Sequence, residues 1–240
     1  FPPIPEDDDF IWPKAKGRET VQDKVYRQLA YLLICGFFRP GETISLRQLS
    51  SELDVSETPV RNALNRLVAE AAMDVLPNRH VSIPALSRAQ FDELMELRTQ
   101  LETNITMHAY RRVTREDIEK LEKINEELLK AMGEHKLHKC IEQNQKFHLT
   151  FYELAERPLT FASITNLWLR AGTFMSVALR SDGVQWRAEE HINLINGLKN
   201  KNSDSCVESI ARDIDETYQS IVKLKNGMIL TVEPGIYISD

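Results

Sequence analysis

The fold is decided by residues 44–67, which have the sequence ISLRQLSSELDVSETPVRNALNRL. Apolar residues recur three or four positions apart before and after Asp54, and this spacing predicts two amphipathic helices that meet at a tight turn. Ser56 is a favourable N-cap for the second helix, and Pro59 falls in its first turn, where a missing N–H costs little. The stretch therefore predicts a helix–turn–helix unit.

The sequence on either side extends this unit to a winged helix–turn–helix domain, which we assign to residues 18–84. Residues 21–33 carry apolar side chains along one helical face, and a turn at 36–41 with two glycines and a proline ends that helix. Residues 73–83 alternate between apolar and polar side chains around a turn at 77–80, which is typical of a small β-hairpin. The order of elements is that of a winged helix–turn–helix.

The outward face of the third helix carries short polar side chains and arginines near its start. Arg and Asn suit the edges of guanine and adenine in a major groove, and hydroxyls beside helical N–H groups can hold a phosphate. The second helix and the hairpin tip are placed to reach the backbone or an adjacent groove. The predicted DNA contacts are Arg47, Ser56, Thr58, Arg61, Asn62, Arg66, Arg79 and His80. For Arg61 and Arg66 the alternative, ordinary solvated helix positions, stays open.

The charge distribution agrees with a protein that contacts DNA locally. The formal net charge of −6 argues against a protein that coats nucleic acid by bulk electrostatics. Residues 17–86 carry eight basic and eight acidic side chains, whereas residues 87–240 carry 20 basic and 24 acidic ones. In a neutral domain on an acidic body, a few well-placed arginines matter more than the total charge.

From Ser87 onward the apolar spacing predicts one helix after another. Ser87 and Thr114 are predicted N-caps, and further helices are predicted over residues 137–156, 159–181, 185–199 and 203–225. We therefore predict a mainly α protein: an N-terminal winged helix–turn–helix followed by an all-α helical-bundle effector domain over residues 87–226. A flexible arm, residues 1–17, precedes these domains, and a β-prone tail, residues 227–240, follows them.

Polar residues on inward helical faces predict a site in the helical domain. Asn144 and His148 lie four residues apart on one helix and point the same way. His191 and Asp213 lie on two later helices beside inward apolar positions. Two imidazoles with amide and carboxylate oxygens can bind a divalent metal ion of the zinc, nickel or manganese class. By spacing alone, a hydrogen-bonded pair without a metal is the commoner outcome for Asn144 and His148.

The stretch at residues 44–67 resembles the signature of GntR-family transcriptional regulators, and the match extends over residues 20–85. The resemblance implies that Arg47, Arg61 and the hairpin tip contact DNA, with Ser56 and Thr58 as phosphate partners. Glu57 stands where many members have arginine, and His80 stands where the wing usually has glycine. Both differences bear on operator preference.

Residues 87–224 resemble the FCD ligand-binding domain of FadR-type members of this family. The matching segments are ELRTQLE at 96–102, NQKFH at 144–148, EH at 190–191 and the last helix around Asp213. Many members have Asp, His, His and His as four metal ligands, and here Asn144 and Asp213 replace the first and the last. The resemblance implies a divalent metal ion and a small carboxylate metabolite, which Arg98 helps to orient. A salt bridge to Glu102 is the alternative for Arg98.

The sequence thus predicts a DNA-binding transcriptional regulator rather than an enzyme. The resemblance implies a homodimer on a pseudo-palindromic double-stranded operator, with affinity controlled by the effector. Two alternatives stay open: a metal-dependent enzyme that uses His148, His191 and Asp213, and a metabolite sensor that needs no metal.

The predicted location is the cytoplasm. The longest nearly unbroken apolar run, residues 29–38, is about half of what spans a bilayer, so no membrane segment is predicted. Three widely separated cysteines suggest a reducing compartment. The acidic, proline-rich start is unlike a secretory signal.

Overall fold

The computed structural model describes residues 10–13, 18–77, 80–179 and 188–223. In chain order its elements are α1 Val21–Ile34, β1 Thr43–Ile44, α2 Leu46–Glu52, α3 Glu57–Ala69, β2 Asp74–Val75, β3 Val81–Ser82, α4 Arg88–Tyr110, α5 Arg115–Gly133, α6 Leu137–Glu153, α7 Pro158–Leu179, α8 Glu189–Lys199 and α9 Ser203–Val222. The predicted contact Arg79, the tail at 227–240 and all of the predicted arm except residues 10–13 lie outside the described residues. The mainly α fold class is confirmed.

The N-terminal unit has the predicted arrangement of three helices and a wing. Strands β2 and β3 pair antiparallel, with Val75 opposite Val81, as the alternation predicts. A third strand, β1, pairs with the other edge of β3, so that the strand order is β1-β3-β2. Strand β1 was not predicted from the sequence, because two residues are too few for an alternating pattern.

The C-terminal unit is a bundle of six helices, α4 to α9. Helix α4 packs along α9, α5 packs along α6, and α8 packs along α9. Ser87 and Thr114 begin α4 and α5 with capping boxes, in which the N-cap hydroxyl accepts a hydrogen bond from a backbone N–H three residues later. These caps explain why the starts of both helices could be predicted.

The two units share one continuous apolar core, and α1 lies against α6 and α7. At the joint the backbone of α1 approaches α7 closely, where α7 has small residues. A Cβ atom added to Gly172 would lie 2.5 Å from the Cα of Ile34. The hydroxyl of Ser176 donates a 2.8 Å hydrogen bond to the carbonyl oxygen of Gly36. Helix α7 is therefore a common wall of the DNA-binding and helical units.

Residues 10–13 lie against this joint, which corrects the prediction of a flexible arm for that segment. Phe10 and Trp12 are buried and stack with ring centroids 5.6 Å apart, and Phe10 makes an edge-to-face contact with an aromatic ring of α1. The side-chain amide of Gln145 on α6 donates a 2.6 Å hydrogen bond to the carbonyl oxygen of Ile11. These partners are far away in sequence, so no local pattern indicates them.

In the part of the chain that the structure describes, no helix has the length and apolar character needed to cross a membrane.

Candidate metal centre and DNA-binding surface

Three of the predicted ligands meet inside the helical bundle: His148 from α6, His191 from α8 and Asp213 from α9. Their ligand atoms all lie within 4.8 Å of one another. His148 Nε2 is 3.0 Å from His191 Nε2 and 3.3 Å from Asp213 Oδ2, and His191 Nε2 is 4.0 Å from Asp213 Oδ1. Both imidazoles are buried, and the Asp213 side chain is 15% exposed.

The opposite side of each imidazole ring also has a partner. His191 Nδ1 is 3.1 Å from Asn125 Oδ1, and this ring stacks on Phe147 with centroids 3.9 Å apart. His148 Nδ1 is 3.3 Å from the hydroxyl of Tyr152. Neither partner was predicted from the sequence. Tyr152 follows His148 by four residues and could have been found by the helical spacing, whereas no pattern relates Asn125 on α5 to α8.

The local electrostatics give this site the donor set of a divalent metal centre. Burial, together with the neighbouring His148, lowers the pKa of His191 to about 3, so the His191 ring is neutral as a metal ligand must be. Burial alone would raise the pKa of Asp213, but His148, His191 and Arg98 outweigh this effect and lower it. Asp213 is therefore an anionic carboxylate.

The spacing of the nitrogens also fits a shared ion. Two imidazole nitrogens that bind one tetrahedral zinc ion at about 2.0–2.1 Å lie roughly 3.3 Å apart. The observed separation of the two Nε2 atoms, 3.0 Å, is a few tenths of an ångström shorter, so a small movement of the rings would admit the ion. Asn144 lies one turn before His148 on α6 and is buried. Among the described residues, no hydrogen bond involves its amide, which suits a further oxygen ligand.

Arg98 is already paired inside the bundle. Its Nε donates a 2.7 Å hydrogen bond to Glu102 Oε1, and its guanidinium carbon lies 4.7 Å from the centre of the Trp168 ring. Arg98 is 3% exposed and Glu102 is fully buried. The salt bridge that the sequence left as an alternative is thus present. The geometry gives no support to Arg98 as a contact for an effector.

The predicted DNA-binding face of α3 is open to solvent. Arg61 and Asn62 are exposed, and each makes one weak surface contact: Arg61 Nη2 lies 3.4 Å from Glu57 Oε2, and the Asn62 amide donates to Gln22. An exposed ion pair of this kind contributes at most about 1 kcal/mol, so it does not hold Arg61 away from DNA. The other exposed predicted contacts are Arg47, Ser56, Thr58, Arg66 and His80.

Two predicted contacts have distinct local settings. Ser56 is the N-cap of α3, but its side chain makes no capping hydrogen bond, so its hydroxyl lies at an uncapped helix N-terminus. Arg66 lies 3.6 Å from the centre of the Tyr26 ring and pairs with Glu70 at 3.1 Å. Tyr26 also donates a 2.6 Å hydrogen bond to Glu70. Arg66 therefore links α3 to α1, a structural role that was not predicted from the sequence.

The fold defines a protein of the winged helix–turn–helix class that carries a second, all-α domain. The FCD domain model matches residues 93–216, and the model for bacterial regulatory proteins of the gntR family matches residues 21–83. The chain belongs to the GntR family of transcriptional regulators and carries an FCD domain.

The individual proteins most informative for comparison are also regulators. The chain is similar to the HTH-type transcriptional regulator McbR of Escherichia coli (strain K12), with 28% identity over 191 residues, 78% of this chain and 86% of McbR. It is 25% identical over 195 residues to the Nta operon transcriptional regulator of Aminobacter aminovorans, covering 81% of this chain and 91% of that protein. The solved structure of E. coli McbR/YncC superimposes with a TM-score of 0.82 at 25% identity, covering 86% of this chain and 99% of that structure. The chain is a transcriptional regulator rather than an enzyme, and the enzyme alternative is not supported.

Proposed function

We propose that this regulator binds a pseudo-palindromic operator as a homodimer in the cytoplasm, and that a small carboxylate effector, bound with a divalent metal ion, controls its operator affinity. The observation that carries the effector half of the proposal is the convergence of His148, His191 and Asp213 from three helices. The DNA half rests on the exposed N-terminal turns of α3, where Arg61 and Asn62 project.

In this proposal His148, His191 and Asp213 hold the metal ion, and the side-chain oxygen of Asn144 is a further ligand. A bound divalent ion would supply positive charge that attracts a carboxylate oxygen. The chain's own groups set the polarity of the site: two imidazoles add no charge, and Asp213 adds one negative charge. The Arg98–Glu102 pair is internally compensated, so it leaves the ion as the attractive centre for an acidic metabolite.

Helix α7 is the element best placed to connect the effector site with the DNA-binding unit. Its Trp168 donates a 3.1 Å hydrogen bond to Glu102, beside the candidate metal centre. Two residues later, Arg170 donates a 3.3 Å hydrogen bond to the carbonyl oxygen of Glu70, at the C-terminal end of α3. A change in the position of α7 on effector binding would therefore act on the helix that enters the groove. Such coupling is reciprocal, so DNA would change effector affinity by the same factor.

The DNA half is tested by an Arg61→Ala variant. We expect it to lose about 1–3 kcal/mol of discrimination between a selected operator and unrelated DNA, because a bidentate contact to a base edge is lost. The operator is first selected with wild-type protein from a pool of random duplexes, and binding of both variants to the selected and a scrambled duplex is then measured at fixed salt. Arg115→Ala is the matched control, since Arg115 forms the same kind of exposed one-turn ion pair, at 3.0 Å from Glu119, but lies on α5. Equal discrimination by both variants would contradict the assigned surface.

The effector half is tested by thermal unfolding of the wild-type protein with a panel of small organic acids, each with and without zinc, nickel or manganese. We expect at least one acid to raise the melting temperature only when the metal ion is present, because a ligand that binds the native state alone stabilises it by mass action. An acid that stabilises equally after chelation would favour the sensor that needs no metal. Stabilisation by neither ions nor acids would contradict the proposal.

A further inference from the structure

We infer that Arg98, Glu102 and Tyr152 form a hydrogen-bonded relay that fixes the tautomer of His148, and that Asn125 does the same for His191, so that both Nε2 lone pairs face the metal position. These four are positioning residues that act through the ligands. The inference rests on the proposed metal site and specifies how the chain prepares it. It also gives Arg98 a role different from the effector contact that the sequence predicted.

The relay begins at Glu102, which is fully buried on α4. Its Oε1 atom accepts hydrogen bonds from Arg98 Nε at 2.7 Å and from Trp168 Nε1 at 3.1 Å, and its Oε2 atom accepts one from the Tyr152 hydroxyl at 2.9 Å. An ionised carboxylate can only accept, so the direction of all three bonds is fixed. Arg98 provides the positive charge that permits a buried carboxylate at this position.

The next step passes through the Tyr152 hydroxyl, which has a single hydrogen. Because that hydrogen is donated to Glu102, the oxygen can only accept from His148 Nδ1, which is 3.3 Å away. His148 must then carry a proton on Nδ1. In the neutral ring the Nε2 atom keeps a lone pair, and it faces His191 and Asp213. This proton position follows from the donor and acceptor inventory of the network.

The second imidazole is held in the same way by a single residue. Asn125 is buried on α5, and its carbonyl oxygen lies 3.1 Å from His191 Nδ1. A carbonyl oxygen accepts, so His191 also carries its proton on Nδ1 and presents a lone pair at Nε2. Metal-binding histidines usually donate their other ring N–H to such an acceptor, which fixes the tautomer and the ring orientation.

Both assignments together leave three acceptors facing one another. With both rings neutral, the two Nε2 atoms, 3.0 Å apart, have no hydrogen to donate, and Asp213 adds a carboxylate at 3.3 Å from His148. A cation between them removes this repulsion. The competing arrangement is a proton on His148 Nε2 that is donated to Asp213, either on a neutral ring whose Nδ1 is bare or on an imidazolium that carries a proton on both nitrogens.

The test is nitrogen NMR of histidine-labelled, metal-free protein, which distinguishes protonated from bare ring nitrogens. In the wild-type protein we expect His148 and His191 to be protonated at Nδ1 and bare at Nε2. In Tyr152→Phe we expect His148 to become a mixture of tautomers while His191 is unchanged, and zinc affinity to fall roughly 10–100-fold. Tyr26→Phe is the matched control, because it removes a buried tyrosine hydroxyl that also donates to a glutamate, but in the winged helix.

A parallel pair of variants tests the second imidazole. Asn125→Leu removes the acceptor, and we expect zinc affinity to fall by a similar factor, whereas Asn125→Asp keeps an acceptor and should retain it. Wild-type His148 protonated at Nε2, or Tyr152→Phe that binds zinc as tightly as wild type, would overturn the relay. If metal-free protein shows the expected tautomers but binds no divalent ion, the tautomer assignment stands and the proposed metal function fails.

Discussion

A His191→Ala variant is expected to lose divalent-metal affinity by more than the roughly 10–100-fold that loss of an outer-shell partner costs. The substitution removes one of two nitrogens that lie 3.0 Å apart and leaves His148 and Asp213, with the amide oxygen of Asn144 as the third proposed ligand. Of these, His148 and Asp213 alone are of the types that structural and catalytic zinc sites use, and such sites have three or four ligands of those types. Calorimetric titration of metal-free protein with zinc, nickel and manganese measures the loss, and elemental analysis of the purified wild type shows which ion it retains.

Two further variants make this result specific. His108→Ala is the matched control, because His108 lies on the bundle surface near Arg157 and has no part in the candidate site. Asp213→Asn keeps the shape of the side chain and removes its charge, so it tests the site without opening a cavity in the core. We expect reduced metal binding with Asp213→Asn and unchanged binding with His108→Ala. Metal binding by His191→Ala at wild-type affinity would place the ion elsewhere and end the assignment of these ligands.

The sequence predicted the ligands better than the groups that orient them, and the reason is physical. His148 and its helix-mate Asn144 share a face by spacing, and the family resemblance related them to His191 and Asp213. Arg98 and Glu102, however, lie four residues apart on α4, and this spacing fits two interpretations of Arg98: a salt bridge with Glu102, or a free side chain that binds an anion. Only burial distinguishes them, and burial depends on how α4, α6 and α7 pack together.

The same limit applies to the fold. Capping boxes and apolar periodicity are local signals, so most helix boundaries could be predicted to within a few residues. Phe10 and Trp12 have no such signal, since their partners, Tyr31 among them, belong to elements that only the tertiary structure brings near. The role of Arg66 could not be predicted from the sequence for a related reason. On α3 alone it is another exposed arginine, and only the packing of Tyr26 against it shows that it holds two helices together.

A Gly36→Ala variant is expected to destabilise the protein by about 2–5 kcal/mol at the joint between the DNA-binding and helical units. Gly36 follows α1 with φ of +65°, and a Cβ atom there would overlap the Cβ of Ser176 on α7. The left-handed conformation costs a non-glycine residue roughly 1–2 kcal/mol, and overpacking of a close contact costs roughly 1–3 kcal/mol more. Denaturant unfolding measures the total loss in the free energy of unfolding, provided that the variant and the wild type have the same m value, the slope of that free energy against denaturant concentration.

Gly41→Ala separates these two contributions, because Gly41 has φ of +79° but an added Cβ would meet nothing within 4 Å. Gly41→Ala should therefore lower the free energy of unfolding only by the contribution of the left-handed backbone conformation. The double variant Gly36→Ala with Ser176→Gly should recover part of the stability that overpacking costs, since it removes the side-chain atom that the new Cβ overlaps. A double-mutant cycle measures the interaction energy between the two positions. If Gly36→Ala costs no more than Gly41→Ala, the two units do not meet as closely as the structure has them. Helix α7 could then not serve as the wall through which an effector acts on α3.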